Sequence, residues 1–210
     1  DSSEKFTTVE TPSLQMSYVG FNTISSDVGS DLEFRKAIAY ALNYDELVEI
    51  GASGYALSAN SGFIPNGVPY YKNTPANIYN LATAKLMLDA AGYKDVNGDG
   101  IREDTNGSAL TVTLLTRDKV AGELIKEYLE KAGLKVEYKF ASDLNAWVEL
   151  KDAHAYDIAY NGITAKGMMM DSGWATGYFA SNTLGAGKLQ NVDDPVFLEL
   201  CAKIATTPDG

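Results

Sequence analysis

The sequence predicts an α/β fold, a sheet flanked by helices, and three observations carry that prediction. A strand pattern, a helix pattern and a second strand pattern follow one another without interruption between residues 109 and 140. The segment LKVEYKF alternates with the period of a strand, placing Leu134, Val136, Tyr138 and Phe140 on one side and Lys135, Glu137 and Lys139 on the other. Several longer segments repeat their apolar residues every three or four positions and open on Ser or Asn, as capped helices do. A length of 210 residues suits one lobe with a proper core, spanning 1–210.

Taken in order, LQMSYVGFN (14–22) has strand composition. SDLEFRKAIAYALN follows as a helix, with Ser30 and Glu33 as a capping box and Leu32, Ala37, Ile38, Ala41 and Leu42 as its apolar stripe. NYDELVEIGASG reads as a short helix capped by Asn43 and closed by Gly51 or Gly54. From there to Asn80 the chain is rich in Gly, Pro, Asn and aromatics, a long loop of the kind that is functional or packed as an arm. NLATAKLMLDAAGY is a helix capped by Asn80 and ended by Gly92, with Leu81, Ala84, Leu88 and Ala91 along one face.

ALTVTLLT (109–116) reads as a buried strand, and RDKVAGELIKEYLEKAG as a helix with Val120, Leu124, Ile125 and Tyr128 inward. After the alternating strand come a helix in SDLNAWVELKDA, with Trp147 in the core, and a strand in AYDIAYNGI (155–163). Residues 109–163 thus form a βαβαβ run, whose strands should lie parallel with right-handed crossovers. In such sheets ligands sit beyond the carboxyl ends of the strands, here the residues after Thr116, Phe140 and Ile163. A last helix opens at Pro195, with Phe197, Leu198, Cys201 and Ile204 on one face.

Composition removes several function classes. Seventeen basic against 28 acidic residues give a net charge of -11, which disfavours nucleic acid and an anionic membrane surface. No run approaches the ~18 to 20 apolar residues of a membrane span, and no signal pattern opens the chain. The one cysteine, Cys201, leaves no internal disulfide and no cysteine-cluster metal site. The one histidine, His154, reads as a surface residue, so histidine-based metal or hydrolytic sites lack their partners. No phosphate-cradling glycine loop is present. Met168, Met169 and Met170 point in different directions and read as gap fillers rather than soft-metal ligands. Arg35 and Lys36 are expected to bond to neighbouring carboxylates. No cofactor and no catalytic residue is assigned.

The loop DVNGDGIRED offers Asp95, Asn97 and Asp99 at the first calcium-ligand positions of an EF-hand, Gly100 at its sharp turn and Glu103 at position 9. Position 12 is Asn106, so the bidentate acid is missing. A plain Asn-Gly and Asp-Gly turn is the preferred reading, with Asp95, Asn97, Asp99 and Glu103 as a weak calcium candidate.

The succession YVGFNT, SDLEFRKAIAYALNYDELVEIGASGYA, GFIPNGVPYY and YNLATAKLMLDAAGYKDVNGDGIRED resembles the C-terminal lobe of family 5, the peptide, nickel and oligosaccharide class, of ABC-transporter extracellular solute-binding proteins. The resemblance runs from about residue 16 to 204. It implies a type II periplasmic-binding-protein lobe, a missing larger N-terminal lobe, and a ligand enclosed between the two by hinge closure. Implied partners are a peptide or small polar solute and the ABC transporter permease. The implied place is outside the cytoplasm, periplasmic or on the cell surface through a lipid anchor beyond this chain.

In peptide-binding members a Trp and then an Asp follow the last strand, the Asp accepting the peptide ammonium. Here Ile163 and Lys166 stand at those positions, so amine-first peptides become doubtful and a carboxylate or hydroxyl fits Lys166 better. A small gap would instead bring Asp171 to that role, with Trp174 and Tyr178 as an aromatic wall. The resemblance therefore implies a ligand-binding set of Asn161, Gly162, Thr164, Lys166, Asp171, Trp174 and Tyr178, with Asn22 near the crossing between lobes. Other readings stay open: an oligosaccharide or nickel-chelate binder of the same family, a solute sensor, a calcium-stabilised structural module, or a hydrolase with facing carboxylates between 157 and 171.

Overall fold

The structure is a computed structural model that describes residues 9, 15–58, 71–163, 179–180 and 192–207. Four strands form one mixed sheet in the order β1-β4-β2-β3: β1 Met16–Phe21, β2 Thr111–Thr116, β3 Lys135–Phe140 and β4 Ile158–Ile163. The βαβαβ run is present, with β2 parallel to both β3 and β4. The remaining strand, β1, runs antiparallel to β4, so that Met16 lies beside Ile163 and Phe21 beside Ile158.

Helices cover both faces. On one, α2 (Leu32–Ala41), α4 (Leu81–Ala90) and α5 (Lys119–Lys131) enclose the main core, where Phe34, Ile38, Leu88, Leu114, Ile125 and Leu129 are fully sealed from solvent. On the other, α6 (Leu144–Asp152) closes a smaller core of Leu115, Ala141, Trp147, Tyr156 and Ala159. Alternation along β2 explains the division, since Leu114 and Leu115 point to opposite faces. Emptying either core by a Leu→Ala change would cost about 2–5 kcal/mol.

The helix starts follow side-chain chemistry. Asn43 and Asn80 cap α3 (Tyr44–Glu46) and α4 by accepting the amides of Glu46 and Thr83. A π-helical turn, Leu47–Gly51, continues α3, and Gly54 at φ +76 ends it. Gly92, at φ +98, ends α4 as its sequence position implies. The cap of α2 differs from expectation. It is Asp31, whose carboxylate accepts from the amides of Glu33 and Phe34, while Ser30 closes the short α1 (Asp27–Ser30) and donates its hydroxyl to the Asp27 carbonyl. The second oxygen of Asp31 accepts from Tyr93 at 2.8 Å, fastening the start of α2 to the turn after α4. Burial, and then that bond, push the Tyr93 phenol up to about 12.

Other expectations are corrected by burial. Leu32 is 52% exposed and Phe34 takes its place inside. Val120 is exposed at the first turn of α5, where Ala121, Gly122 and Leu129 face the sheet instead. Phe140 is also exposed, at the last residue of the edge strand β3. Arg35 donates to the Gly29 carbonyl at 2.8 Å rather than to a carboxylate, whereas Lys36 pairs with Glu33. His154 is half-buried, terminates α6 at φ +51, and holds its Nδ1 buried without a hydrogen-bond partner among the described residues. The last helix, α7 (Pro195–Thr206), is capped by Asp194 and buries Cys201, with Ile204 left 39% exposed.

Candidate functional site

The carboxyl ends of β2 and β4 and the first turn of α5 border an open cleft of about 480 Å³. Its walls are Gln15 and Ser17 from the start of β1, Tyr160, Asn161 and Gly162 from the end of β4, and Arg117, Asp118, Lys119 and Val120 between β2 and α5. Each wall has a local cause. Antiparallel register brings Ser17 beside Gly162, so the beginning of β1 and the end of β4 form one rim. Thr116 is fully buried and its hydroxyl accepts from the Asp118 amide at 2.9 Å, which turns the chain sharply from β2 into the helix. Asp118 then caps α5 by accepting from the Ala121 amide at 3.0 Å.

The approach of α5 to the sheet depends on Gly122. A Cβ there would meet Thr116 Cγ2 and Tyr138 Oη, each at 2.5 Å. The missing side chain lets the first turn of the helix settle onto the strand ends, and the cleft lies just beyond that contact.

The chemistry of the cleft is mixed, with a cationic bias. Arg117 and Lys119 are exposed and have no hydrogen-bonded or ion-paired partner among the described residues. Arg117 acts through space on Asp143, whose carboxyl is held below its ordinary value first by the Ala146 amide and last by that guanidinium. Burial raises the Tyr160 phenol, a Ser17 hydrogen bond pulls it back and the Asp118 charge adds to the rise, so it stays a neutral hydroxyl.

The structure places the expected residues unevenly. Gly162 and Asn161 are at the cleft, although the Asn161 amide turns to the α6 face, 3.5 Å from the Tyr18 hydroxyl. Asn22 stands elsewhere. It is 1% exposed at the opposite end of the sheet, where its amide hydrogen-bonds the Asp157 carbonyl and β1 has run five residues from the cleft rim, about 17 Å of strand. Its side chain donates to Ser25 Oγ and to the carbonyls of His154 and Tyr156, and accepts from the amides of Ile24 and Ser25. That saturation makes Asn22 a support for the β1 turn and corrects its assignment to the ligand-facing set. Thr164, Lys166, Asp171, Trp174 and Tyr178 lie outside the described residues, as do Met168 to Met170.

Arg117, Lys119, Ser17 and Tyr160 fall in no sequence motif that marks them as ligand-facing. The strand-end rule pointed at the residues after Thr116, which is where Arg117 stands. The contribution of β1 needed the antiparallel pairing, for which its composition gives no signal.

In the acidic loop, one carboxylate oxygen each of Asp95, Asp99 and Glu103 comes within 4.8 Å of the others. These groups also close the turn. Asp95 accepts from the amides of Gly98 and Gly100, Asn97 from Asp99, Asp99 from Ile101, and the buried Glu103 from Val96. The next residue of consequence is Arg102, 6% exposed, which donates to the carbonyls of Lys85, Tyr93 and Ala132 and pairs with Asp89. It gathers the ends of α4 and α5 onto the loop.

Comparison with known proteins gives a consistent set of relatives. The family model of bacterial extracellular solute-binding proteins, family 5 Middle, matches residues 1–185. The oligopeptide-binding protein AppA of Bacillus subtilis is 33% identical over 130 residues, 57% of this chain and 23% of AppA. The glutathione-binding protein GsiB of Pectobacterium atrosepticum is 31% identical over 93 residues, 44% of this chain and 18% of GsiB. These matched segments span less than a quarter of the length of either relative. Among solved structures, AppA from Bacillus subtilis in complex with a nonapeptide aligns with a TM-score of 0.72 at 23% identity, over 94% of this chain and 40% of AppA. NikA from Staphylococcus aureus in complex with Ni(L-His)2 aligns with a TM-score of 0.71 at 19% identity, over 94% and 40%. The two structures share the fold described above.

Proposed function

Because the chain belongs to the bacterial extracellular solute-binding proteins of family 5, we propose that it is one non-catalytic lobe of a two-lobed receptor that captures a small polar solute, an oligopeptide or a related compound, and hands it to an ABC importer. The observation that carries this reading is the position of the cleft. It opens at the carboxyl ends of parallel strands, where α/β sheets bind ligands, and its walls are polar, exposed and convergent from three elements. A second lobe closing over it would exclude water and strengthen every hydrogen bond within.

In this reading Asn161 and Gly162 are contact residues on the described wall, and Thr164, Lys166, Asp171, Trp174 and Tyr178 are the further ligand candidates that the family resemblance names. The partner is the membrane permease, and the protein works outside the cytoplasm, periplasmic or held at the cell surface by a lipid anchor. The names of relatives point to peptides through AppA, to glutathione through GsiB and to a nickel-histidine chelate through NikA. The experiment is thermal unfolding of the natively expressed protein against short peptides, glutathione, oligosaccharides, nickel with histidine, and calcium. A solute that bridges two lobes raises the melting temperature by mass action, by about 2.7 kcal/mol of stability at a hundredfold excess over Kd. A rise with an organic solute supports the importer reading. A rise with calcium alone would return function to the Asp95–Glu103 loop, and no rise with any of them would overturn the proposal.

A further inference from the structure

We propose that Asn106 is the acceptor of an N-linked oligosaccharide, transferred outside the cytoplasm from a lipid-linked pyrophosphate donor. The inference goes beyond solute capture and rests on a different part of the molecule. Asn106-Gly107-Ser108 is the one Asn-x-Ser/Thr triplet in the 210 residues, and its middle residue is not the proline that would forbid transfer. Such a triplet becomes an acceptor only on a surface loop of an exported chain. Both conditions are met, since the family is extracellular and residues 105–109 are all exposed.

The triplet forms the tip of a small hairpin with a firm base. Glu103 bridges to Ala109, Leu110 donates its amide to the Arg102 carbonyl at 2.6 Å, and the buried Arg102 side chain holds the carbonyls of Tyr93 and Ala132 below. Above that base the Asp104 amide donates to the Ser108 carbonyl at 2.8 Å, and the Asp104 carboxylate accepts from the amides of Asn106 and Ser108 at 2.8 and 2.9 Å. One carboxamide and one hydroxyl therefore leave the protein at a single projecting turn, and the Ser108 hydroxyl has no hydrogen-bond partner among the described residues. Asp104, two residues before the acceptor, sets a carboxylate beside them for a transferase to read. The turn feeds the amino end of β2, so the whole strand, about 17 Å, separates it from the cleft. A glycan here would cover surface without blocking solute entry.

In the transfer the Asn106 amide nitrogen attacks the anomeric carbon of the donor sugar. A C–N bond forms as the bond from that carbon to the phosphate oxygen breaks, the lipid pyrophosphate leaves with the electron pair, and one amide proton passes to a base of the transferase. Nothing is oxidised or reduced.

The test is intact mass and peptide mapping of the natively expressed protein, purified from the cells that make it. The peptide containing Asn106 should carry the added mass of an oligosaccharide, one that Asn106→Gln and Ser108→Ala each abolish and Ser108→Thr retains. An Asn106 peptide of unmodified mass, or an oligosaccharide that survives Asn106→Gln, would overturn the inference. So would loss of the added mass in Ser108→Thr as well as in Ser108→Ala, because the hydroxyl would then not be what is recognised. None of these outcomes touches the solute-binding reading, which the melting-temperature experiment tests separately.

Discussion

The two ends of one sheet use their polar residues in opposite ways. At the amino end of β4, Asn22, Ser26 and Asp157 spend their side chains on the protein itself: Asp157 accepts from the Ser26 hydroxyl at 2.5 Å and from the Thr113 amide at 2.7 Å, while Asn22 satisfies five groups. At the carboxyl end, Arg117 and Lys119 are exposed and keep their donors open, and Gly162 leaves the rim bare. Polarity alone does not distinguish a binding site from a structural joint. Saturation does, because a buried group left unpaired is costly while an exposed one awaits a partner at little cost.

Breaking the saturated end should have the largest effect. Asn22→Ala strands two amides and two carbonyls in a site that is 1% exposed, and should destabilise by about 3–4 kcal/mol in urea unfolding while leaving solute affinity unchanged. If affinity fell in proportion while stability held, the contrast between the two ends would be wrong. Next in size, Gly122→Ala places a Cβ 2.5 Å from Thr116 and Tyr138 and should cost about 1–3 kcal/mol, measured by the same unfolding. Because the shift would move the floor of the cleft, solute affinity should fall as well. Asp118→Ala removes a helix cap worth about 1 kcal/mol and leaves the cleft more cationic, so it should lower the melting temperature yet tighten binding of an anionic solute.

Acid should loosen the turns next. Asp143 and Asp104 are held below their ordinary values, each chiefly by a backbone amide, that of Ala146 for the first and of Ser108 for the second. A depressed carboxyl contributes stability above its unfolded value of about 3.9, and that contribution is lost as pH falls through the lower folded value. The acid limb of a melting-temperature profile should therefore steepen below about pH 4, and Asp143→Asn should flatten it. The smallest effect belongs to the open end. Arg117→Gln should change stability by less than about 0.5 kcal/mol, since an exposed side chain without partners holds nothing together.

Much of the fold was legible because its signals are local. Asn43, Asn80 and Gly92 announce their helix ends through bonds that span only a few residues. Trp147 and the face of Ala84 and Leu88 follow from periodicity. What escaped depends on distant parts of the chain. Asp31 outcompetes Ser30 as the α2 cap while its other oxygen meets Tyr93, 62 positions later. Arg102 gives no local signal, because its partners include carbonyls just past the ends of two separate helices. Asn22 carried a plausible binding role until the register of β1 against β4 put it at the far end of the sheet. At the site, strand-end reasoning located the cleft, but the charge balance there required knowing that Asp118 is spent on its own helix.

The β3 edge has one more consequence, for solubility. Its outer hydrogen-bonding positions are unpaired among the described residues, and Lys135, Glu137 and Lys139 punctuate it with charge of both signs. A second chain adding itself as a fifth strand would have to strip water from those side chains and align against their alternating charges, a strong discouragement to edge-to-edge pairing. The border is thereby guarded against fibrillar self-association by three residues that do not line the cleft.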